Sequence, residues 1–320
     1  MRAAQSNGWS DMTTRPTDTP YTTNKRTIMD GNSTSQASKR LATFVAVLTL
    51  CAGLVGAQQS HAAGVWTNEP VGATVLTDWG WPSLTGSGWH DEGGGTSVAS
   101  DGTAPLSPSS VLQQTFNTGM PAGISPGNNW YAFPQPAKEV YIGFWWKANA
   151  GFENHPVLTK ILFLSTTQSN PIFFYMAGAG PSVRIGMQYQ NSTIDNGVVA
   201  GYPGVVGTID IGGNQYVTLG SWVKLELYVK RSTTPTSKDG IFRYWVNGVL
   251  AREITTMNFE TYDFASVPIV PIWGGTGGTK TRTDYFSYDH IHISLPNGGT
   301  TNDQPPGPPN VPTLRSVTVP

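Results

Sequence analysis

Along most of the chain apolar and polar residues alternate with a period of two in short runs, the spacing of half-buried strands. Residues 140–147, 160–165, 171–176, 182–190, 222–230, 241–246 and 285–293 are rich in β-branched and aromatic side chains, and no long stretch carries a helical period. Gly and Pro clusters separate these runs, and Asn247-Gly248 between two apolar pairs is a two-residue hairpin signal. Many short strands with turns between them predict an all-β sandwich or barrel. Residues 86–126, poor in strand signals and rich in Gly, Ser and Pro, are expected to form long surface loops over one end.

The alternation also sorts faces. In 222–230, Val223, Leu225, Leu227 and Val229 share one side, and Trp222, Lys224, Glu226, Tyr228 and Lys230 the other. The first side is predicted to be core and the second wet. In 182–190, Val183, Ile185, Met187 and Tyr189 oppose Arg184, Gly186, Gln188 and Gln190. That second set, cationic and amide groups beside a glycine, offers room and donors to a polar ligand, although a solvated sheet face alternates in the same way.

The N-terminus departs from this pattern. Ser38-Lys39-Arg40 precedes an apolar run at 41–57 and the small-residue stretch Ser60-His61-Ala62-Ala63. Basic flank, apolar segment and small residues are the parts of a signal peptide, cut after Ala62 or Ala63. The run is short for a membrane span, which needs about 20 apolar residues. Leu50 before Cys51 disfavours lipidation, and the long polar stretch before Met29 points to Met29 as the start of the leader. The expected organisation is an extension and signal peptide at 1–63, one domain at 64–295 and a Pro/Gly-rich tail or linker at 296–320. The expected destination is extracellular or periplasmic, with no membrane attachment after cleavage.

Composition narrows the chemistry. Cys51 is the only cysteine, so the expected domain holds neither disulfides nor thiolate metal sites. Net charge is −1 and charged residues make up 12% of the chain. Nucleic acid and acidic membranes, which need a basic face, are therefore not the expected partners. Of 11 Trp, all but Trp9 lie beyond residue 63, and so many rings in a charge-poor domain suggest that some face outward.

Five segments carry a family resemblance: 104–111 (A-P-L-S-P-S-S-V), 139–147, the W-x-K-x-E-x-Y-V-K strand at 222–230, the D-G-x-x-R-x-W-V-N-G hairpin at 239–248, and 285–289. Together they resemble a concanavalin A-like lectin/glucanase domain, most closely the jelly-roll polysaccharide lyases of the heparin lyase I and glucuronan or alginate lyase type. The resemblance implies a two-sheet antiparallel jelly-roll sandwich. It also implies a lyase that neutralises a uronate carboxylate, removes the C5 proton and protonates the leaving oxygen, which demands donors and an acid/base within hydrogen-bond reach. By residue type and expected face, Arg184 and Gln188 bind the carboxylate, His155 or Lys160 is the base, and Tyr228 or Tyr288 is the proton donor. Gln190, Trp145, Lys147, Arg243 and Trp245 are the candidate substrate-binding residues. The chain departs from the best-known alginate lyases in lacking their R-x-E-x-R, Q-I-H and Y-x-K-x-G-x-Y motifs. Lectin-like members share the fold motifs, so a non-catalytic carbohydrate-binding domain remains the alternative and an adhesive role a third.

Other chemistries leave weaker traces. A glycoside hydrolase on this fold would set paired acids on one strand, but Glu226 stands alone between Lys224 and Lys230, as for an ion pair. His290 and His292 share a strand face but lack a third zinc ligand. A structural Ca²⁺ could draw on Asp289, Asp263 or Asp284. The glycines at 274–278 lack the Lys and helix of a phosphate loop and are expected to form a flexible loop bordering the groove. The expected partner is an acidic polysaccharide, bound by a monomer.

Overall fold

The computed structural model describes residues 65–107, 109–168, 171–191, 207–259 and 262–296. The expected leader at 1–63, Cys51 and nearly all of the 296–320 tail lie outside these residues. In chain order the strands are β1 (Thr74–Trp79), β2 (Trp89–Gly94), β3 (Thr96–Ala99), β4 (Val111–Phe116), β5 (Gly127–Ala137), β6 (Glu139–Ala148), β7 (Thr159–Thr166) and β8 (Ile172–Ala177). They continue with β9 (Ser182–Asn191), β10 (Gly207–Asp210), β11 (Gln215–Thr218), β12 (Val223–Lys230), β13 (Gly240–Val246), β14 (Val249–Met257), β15 (Phe264–Ile269) and β16 (Asp284–Leu295). Among the described residues there is no α-helix.

The strands form two antiparallel sheets. Sheet A runs β14-β13-β12-β6-β16-β4-β3, with β1 also paired to β16; sheet B runs β10-β9-β8-β7-β15-β5-β2, with β11 paired to β9. Their inner faces meet in one apolar core, the arrangement of an aligned sandwich. Val223, Leu225, Leu227 and Val229 from sheet A and Val183, Ile185, Met187 and Tyr189 from sheet B all enter it, as the alternation predicts. Asn247 takes φ 51° and Gly248 φ 79°, the left-handed pair that a two-residue turn between β13 and β14 requires.

The expectation of loops throughout 86–126 is corrected, because β2, β3 and β4 lie within it. Their sequences hide them. Strand β4 points Gln114 into the core with no exposed surface, where its Nε2 donates to Asn129 Oδ1 (3.0 Å) and to the Ile269 carbonyl (3.0 Å). A buried amide satisfied in this way substitutes for an apolar residue but breaks the apolar alternation.

The outer face of sheet A is not wet as the sequence suggests. Glu226 is fully buried and Tyr228 nearly so, because the segment from Val65 to Ala73 crosses over them before β1 begins. Trp66 stacks on His292 with ring centroids 5.6 Å apart and lies on Gly143 of β6, where any Cβ would overlap the indole. Asn68 Nδ2 donates to Glu226 Oε2 (3.1 Å) and Tyr141 Oη to Glu226 Oε1 (2.7 Å). Lys224 Nζ lies 3.2 Å from Glu226, the ion pair read from the strand, and also donates to the Val65 carbonyl at 2.9 Å. His292 Nε2 lies 2.8 Å from Glu69. Burial opposes charge on this imidazole, but Asp78 and Glu69 outweigh it and raise its pKa.

Gly143→Ala should therefore dislodge Trp66 and lower stability by about 1–3 kcal/mol, the usual cost of overpacking. Denaturant unfolding followed by Trp fluorescence measures this, and an unchanged midpoint would show that the Trp66 contact contributes nothing.

Candidate functional site

The outer face of sheet B is assembled from cross-strand rows. Register pairs Phe163 of β7 with Phe173 of β8, and Phe173 with Gln188 of β9. The next row joins Lys160, Tyr175 and Gly186, and the next Ala177, Arg184 and Tyr216. Phe163, Phe173 and Tyr175 form a buried aromatic floor, flanked by Val270 and Ile272 beyond β15. Strands β7 to β9 present no carboxylate on this side, so the face is cationic and amide-rich over aromatic rings.

Lys160 sits at the centre. Its Nζ is 4.6 Å from the Phe173 ring centroid and 5.5 Å from that of Phe163, close enough for cation–π attraction. Among the described residues no carboxylate pairs with it. Desolvation by burial lowers its pKa from the ordinary 10.5, since a poorly hydrated ammonium releases its proton more readily. That is the environment of a lysine used as a base.

Arg184 places its guanidinium carbon 5.3 Å from the Tyr175 ring centroid and donates to the Gly213 carbonyl at 3.4 Å. The room the sequence offers at Gly186 is taken up by Tyr175, because a Cβ there would overlap the phenol. Gln188 and Gln190 point the same way and are half-buried. The face extends toward two aromatic platforms: Tyr216, 66% exposed, and Trp130, stacked on His90 with centroids 4.3 Å apart.

The remaining predicted residues lie elsewhere. His155 is buried and both ring nitrogens are engaged: Nδ1 accepts from the Val157 N–H (3.2 Å) and Nε2 donates to the Gly277 carbonyl (2.9 Å). It therefore anchors the 274–278 glycine loop. Tyr288 is in the core, donating to the Ile161 carbonyl at 2.7 Å. Tyr228 faces outward on sheet A and donates to Glu139; burial first, and then this carboxylate, push its pKa far up. Trp145, Lys147, Arg243 and Trp245 also belong to sheet A. Lys147 pairs with Asp101 and lies over Trp222, Arg243 pairs with Glu253, and Trp245 packs with Tyr141 and Tyr228. The predicted set is thus divided: Lys160, Arg184, Gln188 and Gln190 share the outer face of sheet B, Tyr228, Trp145, Lys147, Arg243 and Trp245 lie on that of sheet A, and His155 and Tyr288 are buried apart from both.

Calcium does not fit the three aspartates. Asp289 accepts from the Leu106 and Ser107 N–H groups, Asp284 pairs with Lys280 and accepts from Asn149 and Glu153, and Asp263 pairs with Arg231. They lie at separate places, and no group of three or more His, Cys, Asp or Glu among the described residues could hold a metal.

Tyr175, Phe163 and Phe173, on strands legible in the sequence, and Tyr216, on a four-residue strand, were not among the predicted site residues. The available signal was the register of β8: with Phe174 and Met176 inward, Phe173 and Tyr175 must face out.

No protein-family model matches this chain, and no curated protein matches it in sequence. Among solved structures, an endo-β-1,4-glucuronan lyase from the fungus Trichoderma reesei aligns with 69% of this chain and 96% of its own, at TM-score 0.50 and 13% identity. Alginate lyase vAL-1 from Chlorella virus aligns with 69% of this chain and 100% of its own, at TM-score 0.51 and 10% identity. At such identities the likeness is one of fold: the chain shares the two-sheet jelly-roll sandwich of these lyases.

Removing the ring beneath Lys160 tests the account of its acidity. Phe173→Ala should let water reach the ammonium and move its titration up toward 10.5, as followed by NMR of ¹³C-labelled lysine. An unmoved titration would mean that burial against Phe173 is not the cause.

Proposed function

We propose that this chain is a secreted polysaccharide lyase that cleaves a uronate-containing polymer by β-elimination on the outer face of sheet B. The observation that carries the reading is Lys160: a half-buried ammonium over two aromatic rings, with lowered pKa and no carboxylate partner among the described residues, on the same sheet face as Arg184 and Gln188 two strands away. Two lyases of the same fold support it. The basic leader followed by the apolar run at 41–57 supports export.

In this mechanism Arg184 and Gln188 bind the uronate carboxylate and stabilise the charge that develops as the C5 proton leaves. The guanidinium retains its own protons throughout. Neutral Lys160 takes the C5 proton. The electron pair forms the C4–C5 double bond as the C4–O bond breaks, and the new ammonium on Lys160 gives its proton to the departing oxygen, restoring the neutral amine. His155, Tyr228 and Tyr288, whose polar atoms are committed elsewhere, have no part in it. Trp130 and Tyr216 stack flanking sugar rings, since a pyranose presents C–H groups to an aromatic face.

A second reading, binding without cleavage, is favoured by the exposure of Tyr216, which is a platform independent of any acid or base.

Incubation with a panel of polyuronates, following ultraviolet absorbance of the unsaturated product, separates the two. Lyase activity should appear on at least one polymer. Its rate should rise with pH along a limb centred below 10.5, because the base works only when deprotonated, and Lys160→Met should cut kcat by at least about 100-fold. Retention on a polyuronate column with no absorbance change on any polymer would leave only the binding reading.

A further inference from the structure

A second constellation lies on the other side of the molecule, where β16 changes partner. Residues 284–288 of β16 pair with β4 and residues 291–295 with β1, and His290 is the bulged residue between them, at φ 46°. A left-handed histidine in a bulge is a costly conformation of the kind retained where a side chain must be re-aimed. Here it sets the imidazole between a hydroxyl and a carboxylate. Ser107 Oγ is 2.8 Å from His290 Nδ1, and His290 Nε2 is 2.8 Å from Asp78 Oδ1. In the tautomer that carries its proton on Nε2, toward the ionised and purely accepting Asp78, Nδ1 is left to accept from Ser107; the Ser107 hydroxyl also lies within reach of the Asp289 carboxylate. Burial would raise the Asp78 pKa, but the two imidazoles beside it, His290 and His292, hold this carboxyl well below the usual range.

The loop that presents Ser107 is tied down. Asp101 pairs with Lys147, Thr103 Oγ1 accepts from Trp222 Nε1 at 3.2 Å, and the Leu106 and Ser107 N–H groups donate to Asp289. Gly80 lies so close that a Cβ there would overlap Ser107 Oγ. His290 keeps 24% of its side chain exposed, and Ser107 is half-buried, so a reagent can reach the pair.

We propose that Ser107 is the nucleophile of a second, acyl-transfer site, with His290 as its base and Asp78 as a positioning residue, acting on small acyl esters such as those borne by a sugar. The sugar portion of that substrate rests on the polysaccharide reading above; the ester chemistry does not. Ser107 Oγ bonds to the ester carbonyl carbon as its proton passes to His290 Nδ1. The carbon–oxygen bond to the alcohol then breaks, and His290 returns the proton to the departing alkoxide. Water, deprotonated by His290, attacks the acyl-serine, releasing the carboxylic acid and restoring the hydroxyl.

The test uses the purified protein with a fluorophosphonate probe and with p-nitrophenyl acetate. Mass spectrometry should find the probe on Ser107, and Ser107→Ala should abolish both labelling and ester turnover while retaining the native β-sheet circular dichroism and any lyase activity. His290→Ala should slow both by at least about 100-fold, with partial recovery on adding imidazole, and Asp78→Glu should retain more rate than Asp78→Asn. No adduct on Ser107, or an unchanged rate in His290→Ala, overturns the proposal. Labelling of Ser107 in a protein inactive on every polyuronate would remove the lyase reading and leave this one standing.

Discussion

Two eight-stranded sheets pressed together commit one side of most strands to a shared core, and other chemistry is left to the opposite sides. Burial of the inner rows supplies the stability, each fully buried Val, Leu, Ile or Phe contributing about 1.5–3 kcal/mol. The period of two then fixes where every other residue faces, because a slip of one position would exchange core and surface along a whole strand. Arg184 and Gln188 are presented together because Val183, Ile185, Met187 and Tyr189 cannot be exposed.

The two outer faces resolve differently. On sheet A the residues from Val65 to Ala73 cover the centre, where Glu226 is engaged by Lys224, Asn68 and Tyr141, and His292 by Glu69. On sheet B the central ammonium of Lys160 is held over Phe163 and Phe173 with no carboxylate among the described residues to satisfy it. A buried charge that is paired adds specificity to a fold, whereas one left to aromatic rings sheds its proton more easily. This contrast is the ground on which acid–base chemistry on an anionic polymer is proposed for sheet B. At the margin of sheet A, the bulge at His290 lifts one imidazole out of the covered region and aims it at Ser107.

Much of this was legible in the sequence, and the reason it was legible explains what was not. Strands β6, β7, β8, β9, β12, β13 and β16 announce themselves through β-branched and aromatic alternation, and the Asn247-Gly248 turn through its demand for positive φ. Strands β2, β3 and β4 are concealed because polar groups such as Gln114 occupy inward positions and are satisfied only by partners distant in the chain. The candidate site suffers the same limit. Lys160, Arg184 and Gln188 share a face by register between strands, which period alone does not reveal. Tyr228, Trp145, Arg243 and Trp245 look equally outward within their own strands but belong to the other sheet. Tyr288 and His155 look like available acid–base groups until the Ile161 and Gly277 carbonyls that engage them come into view.

In the proposed mechanism, substrate lies over β7, β8 and β9. A crystal structure of the Lys160→Met variant with a bound oligouronate tests it most directly. Sugar rings are expected across the outer face of sheet B, with one carboxylate held by Arg184 and Gln188 and its C5 facing position 160. An oligouronate bound instead over β6, β12 and β13 on sheet A would contradict it.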